Sequence, residues 1–263
     1  MTKLAITGAA GRMGRRLVAL ARADRAVELV AAIERAEDEA QARDAGEIAG
    51  IGPIGLPITF DLKPTPDVLI DFTTPSSTRH WLKTCRDRKI AMVIGTTGLA
   101  EKDHAAIDVA AADIAILQSP NMSLGVNLLF KLVADVARRL GEDYDIEIVE
   151  GHHRHKKDAP SGTAMGLADA ILAAVGQDRS ALVFGRHGED AKRKKGEIGM
   201  HSLRMGDEIG RHCVYFAAEG ERLELGHVAT NRDTFVFGAL RAAKWLANRP
   251  PGRYTVADVL DLK

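Results

Sequence analysis

The densest chemistry in this chain lies between Glu150 and Ala164, which read Glu-Gly-His-His-Arg-His-Lys-Lys-Asp-Ala-Pro-Ser-Gly-Thr-Ala. His152 titrates near neutral pH and Lys156 follows four positions later, so both are candidates to deliver a proton. Pro160 and Ser161 read as the start and cap of a helix through Met165, Leu167, Ala168, Ile171, Leu172 and Val175, stopped by Gly176. At such a helix start the backbone N–H groups of Gly162 and Thr163 point outward with the positive end of the dipole behind them. Together with His153 and Lys156 they suit a small anion, above all a carboxylate. A basic, histidine-rich run is also the composition of a solvated loop, and these residues alone do not separate the two readings. Metal fits poorly and none is expected. Arg154, Lys156 and Lys157 repel a cation, and no cysteine or acidic cluster completes a ligand set.

These residues need a scaffold, and the N-terminal half reads as parallel α/β. Lys3–Thr7 is a short apolar strand. It runs into Gly8, Ala9, Ala10, Gly11, Arg12, Met13 and Gly14 and then a helical stretch. Strand, glycine-rich turn and helix place a pyrophosphate on a helix N-terminus. Ala10 stands where the strict fingerprint has its second glycine, so the motif is Gly-x-x-Gly-x-x-Gly. The next strand, Val27–Ile33, ends at Glu34, about 20 residues on, where an acid binds the adenosine ribose. Arg35 and Arg12 can meet a 2′-phosphate, so both NADH and NADPH are expected to serve. Buried-strand patterns follow at 66–73, 90–94 and 114–117. Their carboxyl ends carry Gly95, Thr96, Thr97 and then Ser119, Pro120, Asn121, Met122. Ligands gather at such strand ends, although turn chemistry alone also selects these residue types.

From residue 124 the pattern changes. A long amphipathic helix (124–140) with Leu128, Leu129, Leu132, Val133 and Val136 on one face precedes an alternating strand, 144–150. The stretch 185–196 is charged and aperiodic, and Lys192-Arg193-Lys194-Lys195 reads as a mobile solvated loop. The runs 198–205, 208–217 and 222–228 alternate with period two, which predicts an antiparallel meander. A one-sided open sheet commonly buries its other face in an oligomer. Helical periodicity returns at 234–246 and 255–260. The expected architecture is therefore a Rossmann-like parallel-sheet nucleotide domain (1–123, completed by 235–263). A second α+β domain (124–234), with a mixed or antiparallel open sheet, is inserted for substrate binding and oligomerisation.

Composition sets the limits. The 263 residues hold 36 Lys+Arg against 36 Asp+Glu, so no global field favours nucleic acid or a membrane surface. Two cysteines cannot form a disulfide framework. No apolar stretch nears the roughly 20 residues of a membrane span, and the N-terminus enters a strand with no room for a signal peptide. The cytoplasm is the expected location.

Four segments occur in a fixed order: Gly-Ala-Ala-Gly-Arg-Met-Gly at 8–14, Asp-Phe-Thr-x-Pro at 71–75, Gly-Thr-Thr-Gly at 95–98 and the 150–164 stretch. Together they closely resemble the dihydrodipicolinate (4-hydroxy-tetrahydrodipicolinate) reductases of the diaminopimelate route to lysine, over essentially the whole chain. The resemblance implies an NAD(P)H-dependent reductase of a small dicarboxylate, typically a homotetramer joined through the sheet of its second domain. It places Gly8 to Met13 on the pyrophosphate, Glu34 on the ribose and Arg35 on the 2′-phosphate. Gly95–Thr97 and Ser119–Met122 would line the cofactor, Met122 departing from the aromatic usual there. His152 would donate or accept a proton and Lys156 donate one, while His153, Gly162 and Thr163 would bind the substrate carboxylates. The residues themselves also leave open another reductase of a small amino-dicarboxylate and a non-catalytic dinucleotide sensor.

Overall fold

The computed structural model describes residues 1–262. In chain order its elements are β1 (Thr2–Thr7), α1 (Arg12–Ala23), β2 (Val27–Ile33), α2 (Ala45–Ala49), β3 (Ile58–Thr59), β4 (Val68–Asp71), α3 (Pro75–Arg88), β5 (Ala91–Ile94), α4 (Glu101–Ala111) and β6 (Ala115–Gln118). Then come α5 (Leu124–Leu140), β7 (Asp145–His152), α6 (Gly162–Val175), β8 (Leu182–Phe184), β9 (Ile198–Arg204), β10 (Gly210–Ala218) and β11 (Glu221–Ala229). The chain closes with α7 (Asp233–Leu246), β12 (Gly252–Tyr254) and α8 (Val256–Val259). Two compact units result: Met1–Leu124 with the chain from Asp233 onward, and Gly125–Arg232.

The first unit has the expected Rossmann-like fold. Its seven strands run in the order β12-β6-β5-β4-β1-β2-β3, and every pairing is parallel. Leu4–Ile6, Val68–Ile70 and Met92–Ile94 are buried without alternation, because helices cover both faces of the sheet. Strand order reverses between β1 and β4, which is where an open α/β sheet presents a ligand crevice. Thr74 caps α3 by accepting from the Ser77 N–H, with Pro75 in its first turn. Periodicity did not reveal β3 or β12, since strands of two and three residues carry too little pattern.

The second unit has one mixed sheet, ordered β11-β10-β7-β9-β8. The predicted meander is corrected. β10 and β11 do form a hairpin, but β9 pairs with β7 in parallel and never meets β10. β7 occupies the centre, so the Gly206-Asp207 turn passes over it rather than closing a hairpin. One sheet face packs on α5 and α6 through Ile146, Ile148, Met200, Val214 and Phe216 against Val133, Leu167 and Ile171. The stripe on α5 is rotated from the expected one. Val126, Leu129, Val133 and Ala137 are buried, whereas Leu128 and Leu132 are exposed. The loop holding Arg193 is pinned rather than freely solvated. The Arg193 side chain pairs with Asp145 and Glu147, and Arg186 joins Glu147 at 2.7 Å. Among the described residues no helix is long and apolar enough to cross a membrane.

Candidate active site

Strand alternation builds the histidine site of the second unit. Along β7 the side chains at 146, 148, 150 and 152 share one face, and this face changes from two isoleucines to glutamate and histidine at the carboxyl end. In register beside them, Ser202 and His212 flank Glu150, and Arg204 lies beside His152. The face that forms the core at one end of the sheet thus becomes a polar site at the other.

Glu150 is 1% exposed and organises this site. Its carboxylate accepts from His152 Nδ1 at 2.5 Å and from the Ser161 N–H at 3.2 Å. Arg204 approaches it with both terminal nitrogens, at 2.8 and 3.0 Å, a bidentate pair. Burial pushes the Glu150 carboxyl up, but Arg204, Ser202 and His152 outweigh it and hold it below its usual value. The anion fixes the proton of His152 on Nδ1, leaving Nε2 as the nitrogen that can exchange a proton with a substrate. Nε2 lies 3.2 Å from the position a Cβ at residue 210 would take, so Gly210 keeps that nitrogen uncrowded. For His152, burial lowers the pKa, Glu150 opposes it, and Lys156 and Arg204 add to the lowering.

Ser161 is the N-cap of α6, its hydroxyl oxygen accepting from the Ala164 N–H at 3.2 Å, and it lies 3.1 Å from His212 Nε2. Gly162 is exposed with open space where a Cβ would sit, and Thr163 follows in the same first turn, so the helix start is accessible to an anion. Lys156 is in the loop after β7 with its Nζ 2.9 Å from both oxygens of Asp158. His153 is half-buried, with its ring centroid 6.3 Å from that of His155. His152, Lys156, Gly162 and Thr163 therefore belong to one unit. Sequence reasoning assigned no role to Glu150, Arg204, His212 or Asp158. The signal for Glu150 was available: a carboxylate on the apolar face of an alternating strand must be buried and paired. Among the described residues no group of three or more His, Cys, Asp or Glu is arranged to hold a metal.

The first unit holds a cleft of about 540 Å³ lined by Gly8, Gly11, Glu34, Arg35, Thr73 and Thr74. Its backbone fits a dinucleotide. Gly8 has φ +66°, and a Cβ on Gly14 would stand 1.9 Å from the Gly8 carbonyl oxygen, so neither position accepts a side chain. The N–H groups of Ala9, Ala10 and Gly11 close the turn on Ile33, Glu34 and Gly8. Gly11 caps α1 without a side chain, which leaves the first-turn N–H groups of Arg12 and Met13 to an anion. Glu34 accepts from the Ala10 and Arg35 N–H groups, one on each oxygen, and each oxygen retains acceptor capacity for a ribose hydroxyl. The Arg35 side chain is 78% exposed with its partners no closer than 3.6 Å. Gly95, Thr96 and Thr97 follow β5, and Ser119, Pro120, Asn121 and Met122 follow β6. Thr96, Ser119 and Met122 are buried, and the Ser119 hydroxyl donates to the Asn121 carbonyl at 2.7 Å. Thr96 hydrogen-bonds Asp71, and Met122 is buried against Gly238, where a Cβ would meet its carbonyl oxygen at 1.7 Å.

Residues 2–122 match the profile described as dihydrodipicolinate reductase, N-terminus, and residues 125–260 match that described as its C-terminus. The chain belongs to the dihydrodipicolinate reductase family. A 4-hydroxy-tetrahydrodipicolinate reductase from Alkalilimnicola ehrlichii is 50% identical over 266 residues, covering 99% of each chain. One from Anaeromyxobacter dehalogenans is 46% identical over 267 residues, covering 100% of this chain and 99% of its own. A dipicolinate-bound dihydrodipicolinate reductase from a Paenisporosarcina species shares the fold with a TM-score of 0.75 at 24% identity, covering 98% of both chains.

His212 gives this member of the dihydrodipicolinate reductase family a pH-dependent stability. Burial pushes its pKa from 6.5 down to about 4, with His152 adding to the shift. The unfolded chain therefore binds a proton between these values that the folded chain refuses. Stability is full above about pH 6.5 and falls as pH drops toward 4, by roughly 3 kcal/mol from this group. Denaturant midpoints between pH 4 and 7 should show this slope in the wild type and a flatter one in His212→Asn. Equal slopes would remove His212 as the cause.

Proposed function

We propose that the protein catalyses the NAD(P)H-dependent reduction of 4-hydroxy-tetrahydrodipicolinate to tetrahydrodipicolinate, in diaminopimelate and lysine biosynthesis. The observation that carries this reading is the Glu150–His152 pair, set beside the Lys156 loop and the open start of α6. It combines a proton-exchanging nitrogen with a place for carboxylates. The relatives are named as reductases of this substrate, and the Paenisporosarcina enzyme is described with dipicolinate bound.

When bound, the nicotinamide supplies a hydride. The chain's own groups do the rest. Gly162, Thr163 and His153 bind the substrate carboxylates and fix the ring. Loss of the 4-hydroxyl as water gives the conjugated imine, and hydride addition to it leaves enamine-like electron density next to a ring carboxylate. His152 Nε2 and Lys156 Nζ are the groups that deliver the proton completing the reduction, and the surrounding positive charge favours the developing anion. On the cofactor side, Gly8–Met13 cradle the pyrophosphate and Glu34 binds the ribose. Gly95–Thr97 and Ser119–Met122 line the dinucleotide, with Thr96 and Met122 contributing backbone rather than side chain.

Arg35 takes the 2′-phosphate, its weak ion pairs leaving the guanidinium free to swing onto it. Arg35→Ala should raise KM for NADPH about tenfold, as for one lost charge-assisted contact, and leave KM for NADH within about twofold. Equal changes for both cofactors would exclude that role. The second sheet supports a homotetramer. Its face opposite α5 and α6 presents Leu203 and Val228, both exposed, for burial between copies. The even charge balance and the relatives' biosynthetic chemistry suit a cytoplasmic enzyme.

The test is loss of NADH and NADPH absorbance with substrate formed in situ from pyruvate and aspartate semialdehyde by the preceding synthase. Oxidation that depends on the synthase is expected with both cofactors. NADH binding without turnover would instead favour a non-catalytic dinucleotide sensor.

A further inference from the structure

Asp71, the last residue of β4, is fully buried and has no cationic partner among the described residues. The other buried aspartate of this unit, Asp103, is paired with Arg79. Asp71 is surrounded instead by four threonine hydroxyls. Thr7 and Thr73 reach Oδ1 at 2.9 and 2.5 Å, and Thr78 and Thr96 reach Oδ2 at 2.5 and 3.0 Å. A carboxylate offers about four acceptor positions, and the four hydroxyls match that number. For three of the four hydroxyls the surroundings favour donation to Asp71. Thr96 Oγ1 already accepts the Thr73 N–H at 2.9 Å, so its own proton goes to Asp71. Thr7 and Thr78 have competing carbonyls, Ile70 at 3.3 Å and Thr74 at 3.1 Å, both more distant than the carboxylate.

The four donors come from four separate pieces of chain. Thr7 ends β1 directly before Gly8, Thr73 is in the turn after β4, Thr78 is in the first turns of α3, and Thr96 follows β5. A buried carboxylate without a cation persists only with its hydrogen bonds complete, so it ties all four pieces to one point. Those pieces include the Gly8 turn and the Thr73 and Thr74 lining of the cleft, while Asp71 itself lies behind the wall. Packing tightens the arrangement: a Cβ on Gly8 would meet Thr73 Cγ2 at 2.7 Å, and one on Gly95 would meet Phe72 at 2.3 Å.

We propose that Asp71 is a positioning residue for the dinucleotide, holding the Gly8 turn, the 72–74 turn and the Gly95–Thr96 segment in one binding surface without touching the cofactor. This rests on the dinucleotide reading of the cleft given above. Thr78 provides the cleanest probe, because it belongs to the cluster but does not line the cleft.

The experiment is titration of the full-length protein with NADH, followed by fluorescence, for wild type, Asp71→Asn, Thr78→Val and Thr78→Ser. Asp71→Asn turns two acceptor positions into donors facing hydroxyl protons and should raise the NADH Kd at least tenfold. Thr78→Val, which keeps the shape but loses the hydroxyl, should raise it two- to fivefold, and Thr78→Ser should restore it. In steady state KM for NADH should rise with Kd while kcat at saturating NADH changes less than twofold. Wild-type Kd in a folded Asp71→Asn would overturn the proposal. So would equal Kd values for Thr78→Val and Thr78→Ser, which also decides the matter where Asp71→Asn does not fold. Failure of the wild type to bind NADH would remove the dinucleotide reading and this inference with it, an outcome distinct from the other two.

Discussion

Replacing Lys156 by alanine is expected to lower kcat/KM for the dicarboxylate by about 10²- to 10⁴-fold, the range of a lost proton-transfer group. NADH affinity should be unchanged, since none of the residues lining the cleft of the first unit is near Lys156 in the chain. In the free protein the ammonium group holds Asp158, both oxygens at 2.9 Å, and this keeps the Asp158 carboxyl below its usual value. If Lys156 also meets a substrate carboxylate, that carboxylate competes with Asp158 for the same cation. Lys156→Arg separates the two roles of the lysine. A guanidinium pairs with carboxylates at least as well as an ammonium, but it does not give up its proton in this pH range. If Lys156 only binds the substrate, arginine should restore turnover; if it delivers the proton, KM should recover while kcat stays low. Wild-type kcat in Lys156→Arg would remove Lys156 from the proton step.

Much of this is legible in the sequence alone. The glycine turn, Glu34 at the end of β2 and the capped start of α6 are local signals, in which a residue type and its neighbours decide the backbone. Each falls where its spacing places it. The residues that complete the histidine site were not readable in that way. Arg204 reaches Glu150, and His212 lies beside it, only because β9 runs parallel to β7 on one side and β10 antiparallel on the other. Turn chemistry does not reveal that arrangement. Gly206-Asp207 and Glu219-Gly220 look alike as hairpin signals, yet only the second joins adjacent strands. Arg193 illustrates the same limit: in a run of four basic residues nothing local distinguishes the one that docks on Asp145 and Glu147. Leu128 and Leu132 satisfied helical periodicity but lie one row away from the face that α5 buries. Asp71 read as the end of a buried strand, and its hydroxyl partners at 7, 73, 78 and 96 converge only once the sheet is closed.

Removing Glu150 should have two effects of different size. Glu150→Ala leaves the Arg204 guanidinium, 20% exposed, facing a buried void, and frees the Ser161 N–H as well. Breaking a buried pair on one side typically costs about 3–5 kcal/mol, so a drop of that order in unfolding free energy is expected from denaturant titration. Glu150→Gln keeps the shape and tests chemistry. Its amide cannot accept from His152 Nδ1, from both Arg204 nitrogens and from Ser161 at once, because one oxygen has become a donor. His152 then loses the anion that sets its tautomer and raises its proton affinity against burial. Proton delivery from Nε2 should weaken, with kcat down about 10- to 100-fold, as for other groups that orient a functional histidine. The sign of the pH effect follows from the same pair. The carboxylate opposes the depression of the His152 pKa, so without it the pKa falls further, and the loss of activity with rising pH should begin at lower pH than in wild type. An unshifted pH–rate profile with wild-type kcat in Glu150→Gln would leave Glu150 a purely structural anchor and return the proton step to Lys156 alone.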